Sequence, residues 1–373
     1  MEFTIEHAAL ARGVATVTRA VPTRTTLPVL TGLLVEANGS GQVRLLATDL
    51  DVTVDVGLPA QVKLPGRAVV PARLLGDILR RIPSGAISWA TDADHAVTSL
   101  RWLLSEWKLH GFSPDQFPDL PAPSEEVTWT SFDSATLRQT LWHTVFACAG
   151  QAGGRPILTG VELALEQGKY RAIATDGMRV TYFRSDVAHT WCQPEVMVVP
   201  AAGVAELVRA LADGDGDGRL CRQEGQLYVE VGGVRLAMRL LEGRYPAILD
   251  LIPKAWPTTV TVDCAALRDA CERVALVTDV PDRLYAVLLH AAGDRVEVTA
   301  SSPEAGEARE SVAASVAGQE VKFAVNAKLL VEGLRRLGDG EVLIDLSGPQ
   351  SLARCRLAED ERAQYMQMPV RIG

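Results

Sequence analysis

The chain opens by alternating. In FTIEH, Phe3 and Ile5 are apolar between polar neighbours, the period-two signature of a half-buried strand. The spacing then changes, and Leu10, Val14 and Val17 of HAALARGVATVTRAV fall on one face of a helix. Short apolar runs follow, VLTGLLVEA, QVRLLATDL and the stretch around Lys63–Val70, each bounded by turn residues and each reading as a strand. VVPARLLGDILRRIP returns to helical spacing and stops before Pro83. ISWAT and TSLRWLLSEWKL resume the strand pattern, and the Pro/Asp-rich HGFSPDQFPDLPAPSEE reads as a connector.

The same order of patterns recurs twice. RLLATDLDVTV (Arg44–Val54) returns as RAIATDGMRV (Arg171–Val180) and, eroded, as VEVTASSPEA (Val296–Ala305). Thr48 and Thr175 are 127 residues apart, and Thr175 and Ser301 are 126 apart. ILTGVELAL repeats VLTGLLVEA, VMVVPAAGVAELVRALADG repeats the second helix, and RYPAILDLIP mirrors the first connector. The third copy runs through TVTVDCAALRDACERVALV, YAVLLHAAG and FAVNAKLLVEGLRRLGDGE to the tail RAQYMQMPVRIG. The expectation is an α+β protein of three tandem copies, at 1–122, 123–252 and 253–373. Each copy should carry two helices and about eight strands, with helices at about 7–20, 72–82, 134–149, 201–212, 264–278 and 327–337.

Composition narrows the class. With 47% hydrophobic residues the chain can bury proper cores. Neither a signal peptide nor a run of 18 apolar residues is present, so a cytoplasmic location is expected. The six cysteines, lacking CxxC spacing, read as buried free thiols. The net charge of −9 argues against a polyanionic partner, but its distribution reverses that. The six helical windows hold twelve basic and five acidic residues, +7 in all, which leaves −16 for the rest. Such polarity fits a basic surface of equivalent helices facing a polyanion, with Arg138 and Lys328 as contacts on this ground alone. Arginine is also a good helix former, so the bias by itself has a plainer explanation.

FTIEHAAL, TLPVLTGLL, ATDLDVTV, VPARLLGDILRRIP, FPDLP, RPILTGVEL, ATDGMRV, GRYPAILDLIP and the tail MPVRI together resemble the bacterial sliding clamp, the β subunit of the replicative DNA polymerase III. The resemblance covers essentially the whole chain. It implies three domains of one fold, a head-to-tail homodimeric ring around duplex DNA, and a processivity role with no catalysis, cofactor or metal. Expected partners are duplex DNA bound without regard to sequence, the polymerase subunit, the clamp loader and other proteins carrying a clamp motif. Motif matching adds Arg24, Arg73 and Arg155 as DNA contacts. It also places a peptide cleft on Leu158, Thr175, Gly177, Met178, Arg179, Val180, Pro246 and Leu251, completed by Met366, Met368, Pro369, Val370 and Arg371. Methionine-rich grooves adapt to several short peptides, although Leu158 and Val180 also read as ordinary core. Trp107 and Leu109 on the edge strand SEWKL are expected to meet Leu276 and Val277 of a second copy.

Several positions depart from the family pattern. Met178 replaces a common histidine, Asp250 stands where a basic residue is expected, and Ala202 sits where the other copies have Arg73 and Lys328. Gln367 interrupts the tail and Gly373 extends it, which leaves open an accessory copy with an altered cleft. Asp213–Glu224 matches a calcium-loop pattern, but the strand-like GQLYVEV after it makes an expanded turn the better reading. The six histidines lack ligand spacing, and no P-loop, GxSxG or GxGxxG follows a strand, so an enzyme is disfavoured. Asp49 and Asp176 recur at equivalent turns, which suits turn capping better than acid catalysis. A ring scaffold without DNA is the remaining alternative, and it would show no basic bias on the helices.

Overall fold

A computed structural model describes residues 1–92, 97–150, 155–187, 194–213, 216, 218–278 and 285–370. The six helices form where the spacing places them: α1 (His7–Val17), α2 (Ala72–Leu79), α3 (Ser134–Trp142), α4 (Ala201–Asp213), α5 (Cys264–Ala275) and α6 (Ala327–Leu337). Three end earlier than expected and tighten into single 3₁₀ turns, Thr18–Ala20, Val145–Ala147 and Leu276–Thr278. A threonine stands at each of these ends and bonds back to the helix. The Thr18 hydroxyl donates to the Val14 carbonyl at 2.6 Å, that of Thr144 to Thr140 at 2.9 Å, and that of Thr278 to Ala275 at 2.9 Å. These bonds compete with the α-helical ladder and favour the tighter turn. Side-chain caps start α5 and α6. Asp263 accepts from the Ala266 amide at 2.7 Å and Asn326 from the Leu329 amide at 3.2 Å, each worth about 1 kcal/mol.

The chain forms two compact units, Met1–Arg138 with Ala202–Leu240, and Gln139–Ala201 with Leu241–Gly373. The first contains a five-stranded sheet, with Ser105–His110 as one edge, and an eight-stranded sheet. In the eight-stranded sheet Val234–Arg239, from the second copy, pairs antiparallel with Val52–Pro59 of the first. The second unit holds a twelve-stranded sheet, in which Ala363–Gln367 of the third copy pairs antiparallel with Arg179–Asp186 of the second. In both cases the last strand of one copy joins the third long strand of another. The register is also the same: Leu236 lies opposite Val54, and Tyr365 opposite Thr181, at equivalent repeat positions. Backbone pairing carried across copies satisfies edges that would otherwise be exposed.

Helices pack their apolar faces on these sheets. Leu10, Val14 and Val17 of α1 are buried, as are Leu267, Ala270, Cys271 and Val274 of α5 and Leu330, Val331 and Leu334 of α6. Gly333 lets α6 lie flat on the Tyr365 ring, since a Cβ there would meet the ring at 2.5 Å. Cys221, Cys264, Cys271 and Cys355 are buried free thiols and Cys148 is half-buried. Burial pushes the Cys148 and Cys271 thiols up to about 12, far from a reactive thiolate. Cys192 lies outside the described residues.

Candidate nucleic-acid surface and peptide cleft

Ten of the twelve helical basic residues are more exposed than the acidic ones, while Arg268 and Arg336 are half-buried like the acids. Arg12, Arg19, Arg73, Arg80, Arg81, Arg138, Arg209, Arg273, Lys328 and Arg335 are exposed, whereas Asp77, Glu206, Asp269, Glu272 and Glu332 are all half-buried. Each of these acids is held by an arginine: Asp77 by Arg80, Glu206 by Arg209, Asp269 by Arg268, Glu272 by Arg335 and Glu332 by Arg179. Burial pushes the Glu206 carboxyl up, and Arg209 opposes that shift. The carboxylates lie low against the helix while the guanidinium groups stand outward, an arrangement that presents positive charge. Among the expected DNA contacts, Arg24 and Arg155 are exposed in the segments leading into the equivalent 3₁₀ turns Pro28–Thr31 and Pro156–Thr159, Arg155 directly before its turn and Arg24 in the loop upstream of Leu27. In both turns the threonine hydroxyl donates to the proline carbonyl at 2.7 Å. Arg73 and Lys328 occupy the second position of α2 and α6, where α4 has the exposed Ala202. Lys328 Nζ lies 3.3 Å from the centre of the Tyr285 ring, so its charge is positioned.

The cleft residues belong to the second unit and surround one turn. Asp176 Oδ1 accepts from the amides of Met178 (2.9 Å) and Arg179 (3.0 Å), and the Thr175 hydroxyl donates to the Arg179 carbonyl at 2.6 Å. Asp49 does the same at the sister turn, accepting from Asp51 at 3.0 Å and Val52 at 2.7 Å, so both aspartates serve as turn caps. Gly177 adopts φ +92°, which a glycine takes without strain. The turn projects Met178 outward, 42% exposed, and the Met368 amide donates to the Met178 carbonyl at 2.9 Å. Two methionines are thereby held side by side, with Leu251 (75% exposed) and Leu249 (39%) as further apolar groups in water. Leu158 packs in a cluster with Ile173, Val198, Tyr245 and Ile248, joined by the half-buried Val180. Pro246 and Pro369 are half-buried and Val370 is buried, its amide donating to the Ala324 carbonyl at 2.8 Å. Arg371 lies outside the described residues.

Some expected site residues turn inward. Arg179 is buried and donates to Asp176 (2.9 Å), Glu332 (2.5 Å) and the Phe146 carbonyl (2.8 Å). Burial disfavours its charge, but the bond to Glu332 outweighs this and holds its pKa above the ordinary value. It is therefore a strut behind the turn and presents no charge in the cleft. Thr175 is likewise buried. Met366 is fully buried, because it lies opposite Val180 in the continuous sheet. Gln367 is buried too, donating to the Asn326 carbonyl at 3.0 Å and accepting from the Tyr365 hydroxyl at 3.0 Å, so this departure leaves the cleft surface untouched. Leu109 is buried in its own copy, on the core side of its alternating strand, and Val277 packs half-buried against the third-copy core. Trp107 is half-buried and Leu276 is 71% exposed, so these two remain at the surface. At the calcium-like stretch Asp213, Asp215 and Asp217 have no described side chains, and Gly218–Gln223 is a strand where a calcium loop would lead into a helix. Among the described residues no group of acidic, histidine or cysteine side chains is arranged to hold a metal, and no helix is long and apolar enough to cross a membrane.

Repeated α+β copies joined edge to edge, with outward-facing basic helices and a small apolar cleft, define a clamp of the DNA-polymerase accessory class. Three sequence profiles of the DNA polymerase III beta subunit match the chain, the N-terminal domain over 1–121, the central domain over 131–247 and the C-terminal domain over 249–371. The beta sliding clamp of Synechococcus elongatus is 30% identical over 361 residues, covering 95% of each chain. The crystal structure of the sliding clamp from Bacillus subtilis superposes with a TM-score of 0.93 at 27% identity over the whole of both chains. A Pseudomonas aeruginosa clamp bound to griselimycin gives 0.92 at 27% identity, again over both whole chains. The chain belongs to the DNA polymerase III beta subunit family, the bacterial sliding clamps, which are processivity factors and not enzymes.

Proposed function

We propose that two copies of this chain close into a ring around duplex DNA in the cytoplasm, each contributing three domains divided near residues 122 and 252. The ring tethers the replicative polymerase subunit, and the clamp loader and other clamp-motif proteins use the same cleft. The observation that carries this reading is the bias of charge on the helices, where ten of twelve basic residues are exposed and none of the five acids is, in a chain whose net charge is −9. A ring scaffold without DNA would have no reason to expose one sign there. Phosphate contacts from Arg24, Arg73, Arg138, Arg155 and Lys328 are non-specific and weak, so the ring slides while topology keeps it on the duplex. Tethering then raises the polymerase's effective concentration at the primer end. In the cleft, the exposed Met178, Met368 and Leu251 over the Leu158–Val180 floor offer an adaptable apolar seat for short extended peptides rich in Gln, Leu or Phe. The test is retention of loaded protein on circular DNA and its loss on linearisation. Equal retention on both forms would mean ordinary electrostatic binding and would overturn the ring.

A further inference from the structure

Among the described residues, Trp142 is the only phenylalanine, tyrosine or tryptophan that is exposed, at 45%. It stands on the outward stripe of α3, where Ala135, Arg138, Gln139 and Trp142 are exposed at helical spacing. Its ring is held by an arginine from α6: the Arg336 guanidinium lies 3.9 Å from the centre of the indole and 5.4 Å from that of Phe146. Arg362 reaches the same helix, donating from Nη1 to Gln139 Oε1 at 3.5 Å.

The charge at this place is left uncompensated. Asp360 holds Arg362 at 2.7 Å, Glu272 is taken by Arg335, and Glu332 by Arg179. Arg336 has no carboxylate bonded to it among the described residues, and its Nη1 is buried without a hydrogen-bond partner. Burial pushes the Arg336 pKa down, and the field of Glu332 offsets only part of that. A cation short of a counter-charge in a partly dry setting favours an approaching anion.

The repeat shows that the fold does not require this pair. Trp142 is the ninth residue of α3, and the ninth residues of α1 and α5 are Ala15 and Glu272. Arg336 is the tenth residue of α6, and the tenth residues of α2 and α4 are Arg81 and Ala210. Where the first copy joins the second, the positions in the same two roles are thus both alanine. An indole under a guanidinium is an addition at one joint.

We propose that Trp142, with Arg336 and Arg362, is a stacking platform for an unpaired nucleotide of single-stranded DNA. This rests on the reading of the helices as the DNA-facing wall, and it specifies which form of DNA one part of that wall takes. The indole takes the face of a base, and the guanidinium groups draw the flanking phosphates. A duplex has no use for the indole, because its bases offer only edges in the grooves and its outer surface is sugar and phosphate. At a primer end the template continues as a single strand beside the duplex, so a ring there meets both forms. Every base has a π-face, so the platform is indifferent to sequence, as sliding requires.

The test uses the full chain at low salt, with fluorescence anisotropy on three probes: an oligothymidylate of about twelve nucleotides, a strand of the same length made of abasic units, and a duplex. Trp142→Ala should weaken binding of the oligothymidylate about tenfold, the size of one lost base–aromatic stack, and change duplex binding by less than about twofold. Trp142→Phe should keep most of the affinity. On the abasic strand Trp142→Ala should have no effect, because only phosphate contacts remain. Equal losses on single strand and duplex, or an oligothymidylate affinity that Trp142→Ala leaves unchanged, overturn the platform and leave the ring standing. Equal retention of the wild type on circular and linearised DNA overturns the ring and leaves the platform standing, since binding an oligonucleotide needs no closed ring.

Discussion

Arg179 is the residue whose loss most directly tests how the cleft is held. Its guanidinium binds the turn through Asp176, α6 through Glu332 and the 3₁₀ turn after α3 through the Phe146 carbonyl, and lies 5.3 Å from the centre of the Phe146 ring. Removing one partner of a fully buried ionic network costs about 3–5 kcal/mol. Here Glu332 is 45% exposed and Asp176 21% exposed, so both carboxylates recover hydration, and the loss for Arg179→Ala is nearer to about 2 kcal/mol. Arg179→Lys keeps the charge without the fork and should lose roughly half as much. Thermal unfolding should shift down by about 4 °C or more, and hydrogen exchange at the 176–181 amides should accelerate. Calorimetry with a Gln/Leu/Phe-rich peptide should show about tenfold weaker binding, since the Met178 backbone loses its support and the peptide must order it. If the melting temperature moves by less than about 1 °C and peptide affinity is unchanged, Arg179 is a bystander and the strut is wrong.

Deleting Met368–Gly373 should abolish peptide binding by calorimetry while sedimentation still shows a dimer, because Tyr365–Gln367 keep their ladder. Replacing Arg24 and Arg155 with Ala should weaken DNA retention equally for all sequences and shallow the salt dependence by about two units of slope, one per lost phosphate contact. Burial works against the Asp345 carboxylate, but bonds from Arg356, Thr259 and Arg354 prevail and hold its pKa below the ordinary carboxylate range. Its stabilisation is therefore complete above the unfolded carboxylate pKa and lost as pH falls through the lower folded value. Asp345→Asn should cost about 2–3 kcal/mol at pH 7, and the gap to wild type should shrink on acidification; a constant gap from pH 7 to about 3 would refute this assignment.

Helix positions were legible because an apolar face at helical spacing is a local signal, and Leu10, Val14 and Val17 are buried together as it implies. The early ends of α1, α3 and α5 were not, since they depend on threonine hydroxyls bonding backward. The repeat disclosed the copies but not their joints, because strand pairing across 180 residues, as between Val54 and Leu236, leaves no local trace. For the proposed site, the chain's pattern offers positions and not orientations. Arg179, Met366 and Gln367 stand in the expected stretches, yet all three are buried. Only the pairing of 179–183 with 363–367 makes that orientation necessary.

The two internal joints also explain why an apolar cleft belongs to one and not the other. At both, the ladder closes with the same backbone bond: the Arg239 amide donates to the Asp51 carbonyl at 2.9 Å, and the Met368 amide to the Met178 carbonyl at 2.9 Å. Both follow a left-handed residue, Leu50 at φ +80° and Gly177 at φ +92°. The backbone device is thus shared, and the side chains placed side by side at its end differ. At the first joint they are an arginine and an aspartate, which water already solvates and which offer an apolar peptide nothing. At the second they are two methionines, exposed beside Leu251, whose burial is favourable at roughly 25 cal/mol per Å². Glycine in place of Leu50's counterpart also relieves the strained φ and leaves open space above the turn, since a Cβ on Gly177 would meet nothing within 4 Å. A repeat that had to join copies the same way could diverge only where side chains leave the ladder, and that is where the proposed partner site lies.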